Sequence, residues 1–164
     1  MIRQLPLLGL SGCQVAEVPV DPGIELGTGE LEFEALDDGD ELSLIRGPQG
    51  GYHFLGSVRT KGIEAGDPDD LTHPDNPTVT FQANILDMDL VPNAQYEQGL
   101  DENQVDPWTH EMIGRLAILD IGHNVDADNQ MAGLDVRFSV TVVDASGDEY
   151  TDLVDAIITL HPFN

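Results

Sequence analysis

The chain of 164 residues carries 31 acidic against 6 basic residues, a formal net charge of −25. Phosphate neutralisation needs clustered Lys and Arg, so this balance excludes nucleic acid as a partner, and anionic lipid surfaces would repel the chain. Apolar residues make up 40% of the chain, enough for a packed core, while the single cysteine rules out an intramolecular disulfide and a thiolate metal cluster.

Residues 1–13 read as a signal segment. Arg3 supplies a positive start, Leu5-Pro6-Leu7-Leu8-Gly9-Leu10 an apolar run, and Ser11-Gly12 two small residues ahead of Cys13. Leu10-Ser11-Gly12-Cys13 resembles the lipobox of bacterial lipoproteins. That resemblance implies lipidation of Cys13 and cleavage just before it, so that the chain is attached to a membrane by lipid. Gln14, rather than Asp, after the cysteine implies the outer membrane, with the domain either periplasmic or surface-facing. No run approaches the roughly 20 apolar residues of a spanning helix, and two or more acyl chains anchor stably where one does not. Residues 14–28 contain Pro19, Pro22, Gly23 and Gly27 without a helical or strand period, and are expected to be a flexible tether. Residues 29–164 are then a single domain.

From Gly29 the alternation of Leu31, Phe33 and Ala35 with acids predicts a half-buried strand, and Asp37-Asp38-Gly39 a turn. Leu42 and Leu44 mark a second strand. Gly47-Pro48-Gln49-Gly50-Gly51 is a tight connection to a third, with Tyr52, Phe54, Gly56 and Val58 on one face and His53, Ser57, Arg59 and Lys61 on the other. Arg46, Arg59 and Lys61 make this the least acidic surface expected. An acidic loop over 66–77 precedes a strand through Val79, Phe81, Ala83 and Ile85. A change of apolar parity at Ile85-Leu86 suggests a bulge or a crossing between sheets. A second loop, 92–107, has room for one helical turn. His110 to Ile121 is apolar on both faces, as in a central strand. Leu134, Val136, Phe138, Val140 and Val142, the turn Asp144–Asp148, and then Tyr150, Val154, Ala156, Ile158 and Leu160 predict a closing hairpin.

About seven strands, turns rich in Gly, Pro and Asp, and no βαβ unit predict an all-β fold, an antiparallel sandwich of two sheets. The strand count and closing hairpin resemble the immunoglobulin-like or fibronectin-type architecture, with a jelly roll as the alternative.

Chemistry is thin. No Gly-x-Ser-x-Gly occurs and Cys13 is the only thiol, so the chain is not expected to be an enzyme. Calcium takes several oxygens from one or two loops, which makes Asp67, Asp69, Asp70 and Asp75, and separately Asp126 and Asp128, the candidate ligands; no other cofactor is expected. Read as an EF-hand from Asp126, the required Gly falls on Met131 and the final Glu on Arg137, so that motif fails. His53, His110 and His123 fall at strand ends and could converge, which leaves a periplasmic metal-handling protein as one reading. Tyr52, Tyr96 and Trp108 could form an exposed patch or belong to the core. The preferred expectation is a non-enzymatic binding, interaction or structural module at the cell envelope, whose partner is another envelope protein or an extracellular ligand. The whole resembles the uncharacterised acidic lipoproteins of Gram-negative bacteria, a resemblance that implies no activity.

Overall fold

A computed structural model of the chain describes residues 20–48, 51–85, 94–119 and 130–162. Its elements are all strands: β1 (Gly23–Thr28), β2 (Glu34–Ala35), β3 (Glu41–Arg46), β4 (Tyr52–Lys61), β5 (Thr78–Ile85), β6 (Ala94–Glu97), β7 (Asp101–Glu102), β8 (His110–Leu119), β9 (Asp135–Val143) and β10 (Glu149–Leu160). The all-β expectation holds. Cys13, Asp126, Asp128, His123 and the parity change at Leu86 lie outside the described residues.

The arrangement of the sheet differs from the expectation. The strands hydrogen-bond along one path, β2-β1-β4-β3-β10-β9-β5-β6, with β8 against β4 and β7 against β8. The joint is β3. Its first residues pair in parallel with β10 (Leu42 with Ile158), and its last pair antiparallel with β4 (Ile45 with His53). Because one strand belongs to both halves, the result is a curled open sheet, a half-barrel, where a sandwich of two separate sheets is expected.

Residues facing into the curl form the core. Leu26, Phe54, Val58, Met112 and Ala117 come from one half, and Val79, Phe81, Val136, Phe138, Val140, Val154 and Ile158 from the other; all are buried. Phe138 is the meeting point, its ring 6.1 Å from that of Phe54 and 6.2 Å from that of Phe81. The closing hairpin pairs as predicted, Thr151 opposite Thr141 and Val154 opposite Phe138. In the turn predicted at Asp37-Asp38-Gly39, Gly39 takes a positive φ of 91°.

Three local expectations are corrected. The segment 14–28 is not all tether: Gly23–Thr28 forms β1, paired with β4 over Gly23–Gly27. The strand expected over 30–35 shrinks to Glu34–Ala35, and Leu31 is 90% exposed. Phe33, which gave that stretch its alternation, lies over Gly27 and Arg59 instead of in the core. The loop expected over 92–107 holds β6 and β7 where one helical turn was allowed for.

Candidate functional site: a groove on the outer face of β3, β4 and β8

Strand parity puts every second residue of a sheet on the face away from the core, where polar side chains are the rule. On β3, β4 and β8 that rule is broken. Ile45 pairs with His53, and His53 with Ile118; one rung on, Leu55 pairs with Leu116. All five belong to the outward set, and Leu116 and Ile118 are 41% and 58% exposed. The apolar reading of both faces of β8 was therefore right as a pattern. The burial it predicted is not there: among the described residues no second layer covers the outer face, and Leu116 and Ile118 stay exposed.

The patch is the floor of a groove of about 650 Å³. Ile45, Leu55 and Leu116 lie in it. Glu30, Glu34 and Glu41 also line it, as do Arg46, His53 and His161. Burial lowers the pKa of His53 and favours its neutral imidazole.

One wall is the turn between β1 and β2, and its placement has identifiable causes. A register shift between Gly56 and Val58 brings Ser57 inward, where it is fully buried. Its hydroxyl accepts the Gly114 N–H at 3.0 Å and donates to the Gly29 carbonyl at 3.4 Å. Gly114 sits at φ 66°, and a Cβ there would lie 2.7 Å from the Glu30 carbonyl oxygen. The turn thus rests directly on β8. Thr28 closes the contact by donating to the Leu55 carbonyl at 2.9 Å.

Further along the same face of β4 lies the stretch expected to be least acidic. Its cations are engaged within the protein. The Arg59 guanidinium stacks between Phe33 (4.3 Å) and Trp108 (5.1 Å) while its Nε donates to Glu25 at 2.5 Å, and Lys61 lies 5.4 Å from the Trp108 ring. Glu111, paired with Arg59 in register, has its pKa raised by burial and by the neighbouring Asp101, with Arg59 opposing. Trp108 is half-buried in this stack. Tyr96 donates to the Leu116 carbonyl at 2.9 Å, so Tyr52, Tyr96 and Trp108 do not form one exposed patch.

The other candidate ligands are dispersed. His53 and His110 sit near opposite ends of the β4–β8 ladder, His53 opposite Ile118 and His110 opposite Thr60. At ~3.4 Å per residue that places them roughly 25 Å apart, so they do not converge. In the acidic loop, the carboxylate of Asp67 accepts the Asp69 N–H, and that of Asp70 accepts both the N–H and the hydroxyl of Thr72. Buried Asn76 organises the loop, its Oδ1 accepting from Asp67 N–H and its Nδ2 donating to the Asp70 carbonyl. Asp75 lies 3.9 Å from His73. Among the described residues no three His, Cys, Asp or Glu side chains come together as a metal group, so Asp67, Asp69, Asp70 and Asp75 do not form one.

The groove residues Glu30, Glu34, Glu41, Ser43 and His161 escaped the sequence reading. The available signal was parity: Glu41, Ser43 and Ile45 alternate with buried Leu42 and Leu44. No family model, curated protein or solved structure matches this chain.

Proposed function

We propose that this chain is a non-enzymatic binding module held at the bacterial cell envelope by lipid on Cys13, and that the groove over β3, β4 and β8 contacts another envelope protein or an extracellular ligand. The observation that carries this reading is the outward apolar floor, Ile45, Leu55 and Leu116, with exposed Ile118 on the same face, on a chain of net charge −25. A protein that spends so much sequence on solubility exposes a contiguous apolar patch at a contact site. The lipobox supports the location. We further read the curled sheet as immunoglobulin-like, with β3 passing from one layer to the other.

The test is photo-crosslinking in cells from positions 55 and 116, with Leu153 on the far half of the sheet, 50% exposed, as the control position. Defined adducts are expected from the groove alone. Equal labelling from Leu153 would remove the assignment. The anchor is tested separately: mass spectrometry should find lipid on Cys13, and Cys13→Ala should release the protein from the membrane fraction.

His53 and His161 line the same groove, which supports the metal-handling alternative. Zinc and copper titrations distinguish it. Stoichiometric binding lost in His53→Gln would favour that alternative over the binding module.

A further inference from the structure

We infer that the groove takes an extended peptide segment of a cationic partner, apolar along its length and basic at one end. The inference rests on the reading of the groove as a contact site and names the class of its occupant.

Three observations specify that occupant. The first is shape. The groove follows β3 from Glu41 to Arg46, five residue steps or about 17 Å at ~3.4 Å each, the length of a short extended strand. The second is the floor. Ile45, Leu55 and Leu116 offer apolar contact to alternate side chains of such a strand. The third is charge complementarity. Glu30, Glu34 and Glu41 are exposed in the lining of the groove, and none of them forms an ion pair among the described residues. Elsewhere, Arg59 is paired with Glu25 and Arg137 with Asp155, so neither neutralises these three. A second copy of this chain is disfavoured as occupant, because two molecules of net charge −25 repel. The same field accelerates encounter with a cation and makes it sensitive to salt.

The experiment uses fluorescent peptides and the full-length protein. The probe alternates valine and serine and ends in a lysine pair. One comparator replaces the lysines with glutamates, and another replaces the valines with serines. The lysine–valine probe is expected to bind saturably, and each comparator about tenfold more weakly or not at all. Glu30→Gln, Glu34→Gln and Glu41→Gln combined should weaken the probe about tenfold, the sum of three modest surface attractions. Glu64→Gln, Asp69→Asn and Glu149→Gln combined remove the same formal charge from exposed positions away from the groove. This second set should leave affinity within about twofold, because distant exposed charges are screened. Equal losses in the two sets would show attraction by net charge alone and overturn the proposal. So would wild-type affinity in Leu116→Ser, at a position exposed enough to accept the change. If the glutamine set does not fold, the comparator peptides decide the question on the unmodified protein. Groove-specific crosslinks together with failure of the lysine–valine probe would remove the cationic class and leave the binding module standing. Absence of both would remove both.

Discussion

Ser57 couples the core to the groove through one hydroxyl. It is fully buried, and Gly114 N–H has it as a partner where the β4–β8 ladder slips. Removing the hydroxyl leaves a buried donor unmet, which costs about 1–3 kcal/mol. Ser57→Ala should therefore lower stability by that order in denaturant titration. It should also weaken probe binding beyond Ser43→Ala, because the Gly29–Glu30 wall loses its attachment. A second residue sets the response to acid. Burial favours neutral His53 in the folded protein, so its contribution to stability is complete above the ordinary value of 6.5 and is lost as pH falls through its lowered folded value. Asp70, Asp144 and Asp155 are also lowered, mainly by hydrogen bonds from Thr72, Ser146 and Arg137, and their contributions are lost only at more acid pH, below the ordinary 3.8. Glu111 runs the other way. Its raised pKa favours the protonated folded form, so its contribution is greatest below 4.5 and is lost as pH rises through the folded value. Stability should fall in two stages on acidification, and His53→Gln should flatten the first, which begins as pH drops below the ordinary 6.5. A pH–stability curve unchanged by His53→Gln would refute the assignment.

At the scale of elements, close approach decides which residues are replaceable. A Cβ on Gly56 would lie 2.5 Å from the ring of Phe81, which is fully buried on the opposite half of the curl. Overpacking of this kind costs about 1–3 kcal/mol. Gly56→Ala should lower the thermal midpoint by several degrees, whereas Gly39→Ala, which meets no atom within 4 Å, should cost only the strain of its positive φ. Equal losses would mean that Phe81 moves aside. The sequence made much of this element level legible. Period-two alternation located β5, β9 and β10 because their inward residues are continuous and apolar, and Asp144–Asp148 located their turn. It misplaced β1 and β2 for a physical reason. In Glu30–Ala35 Phe33 packs on Arg59 while Leu31 and Ala35 are exposed, so the pattern of a buried strand appears without burial. Glycine and proline around Gly23 and Gly27 read as linker. Yet Gly27 is small because Phe33 lies over it, 2.6 Å from where a Cβ would be. The groove was illegible for another reason: its residues come from β3, β4, β8, the β1–β2 turn and His161, and only the curl of the sheet through β3 gathers them.

For the whole molecule, charge is the dominant variable. At −25 the exposed carboxylates repel one another, and at physiological salt only those within about 8 Å interact appreciably. Pairing inside the protein relieves little of this, since the ion pairs of Arg59 and Arg137 each remove one acid. Raising sodium chloride should therefore raise the melting temperature, with most of the gain at low salt, where screening changes fastest. Calcium and magnesium at matched ionic strength separate screening from site binding. A ligand that binds only the folded state adds RT ln(1 + [L]/Kd), about 2.7 kcal/mol at 100 times Kd. Calcium at the 66–77 loop would compete with the amide and hydroxyl donors that Asp67 and Asp70 already accept. Coincident calcium and magnesium curves are accordingly expected from that loop. A rise specific to calcium that disappears in Asp70→Asn would overturn this and place the ion among Asp67, Asp69, Asp70 and Asp75. A calcium-specific rise that survives Asp70→Asn and disappears in Asp126→Asn with Asp128→Asn would assign it to the other candidate loop. A melting temperature that falls as sodium chloride is added would remove self-repulsion itself as the governing term.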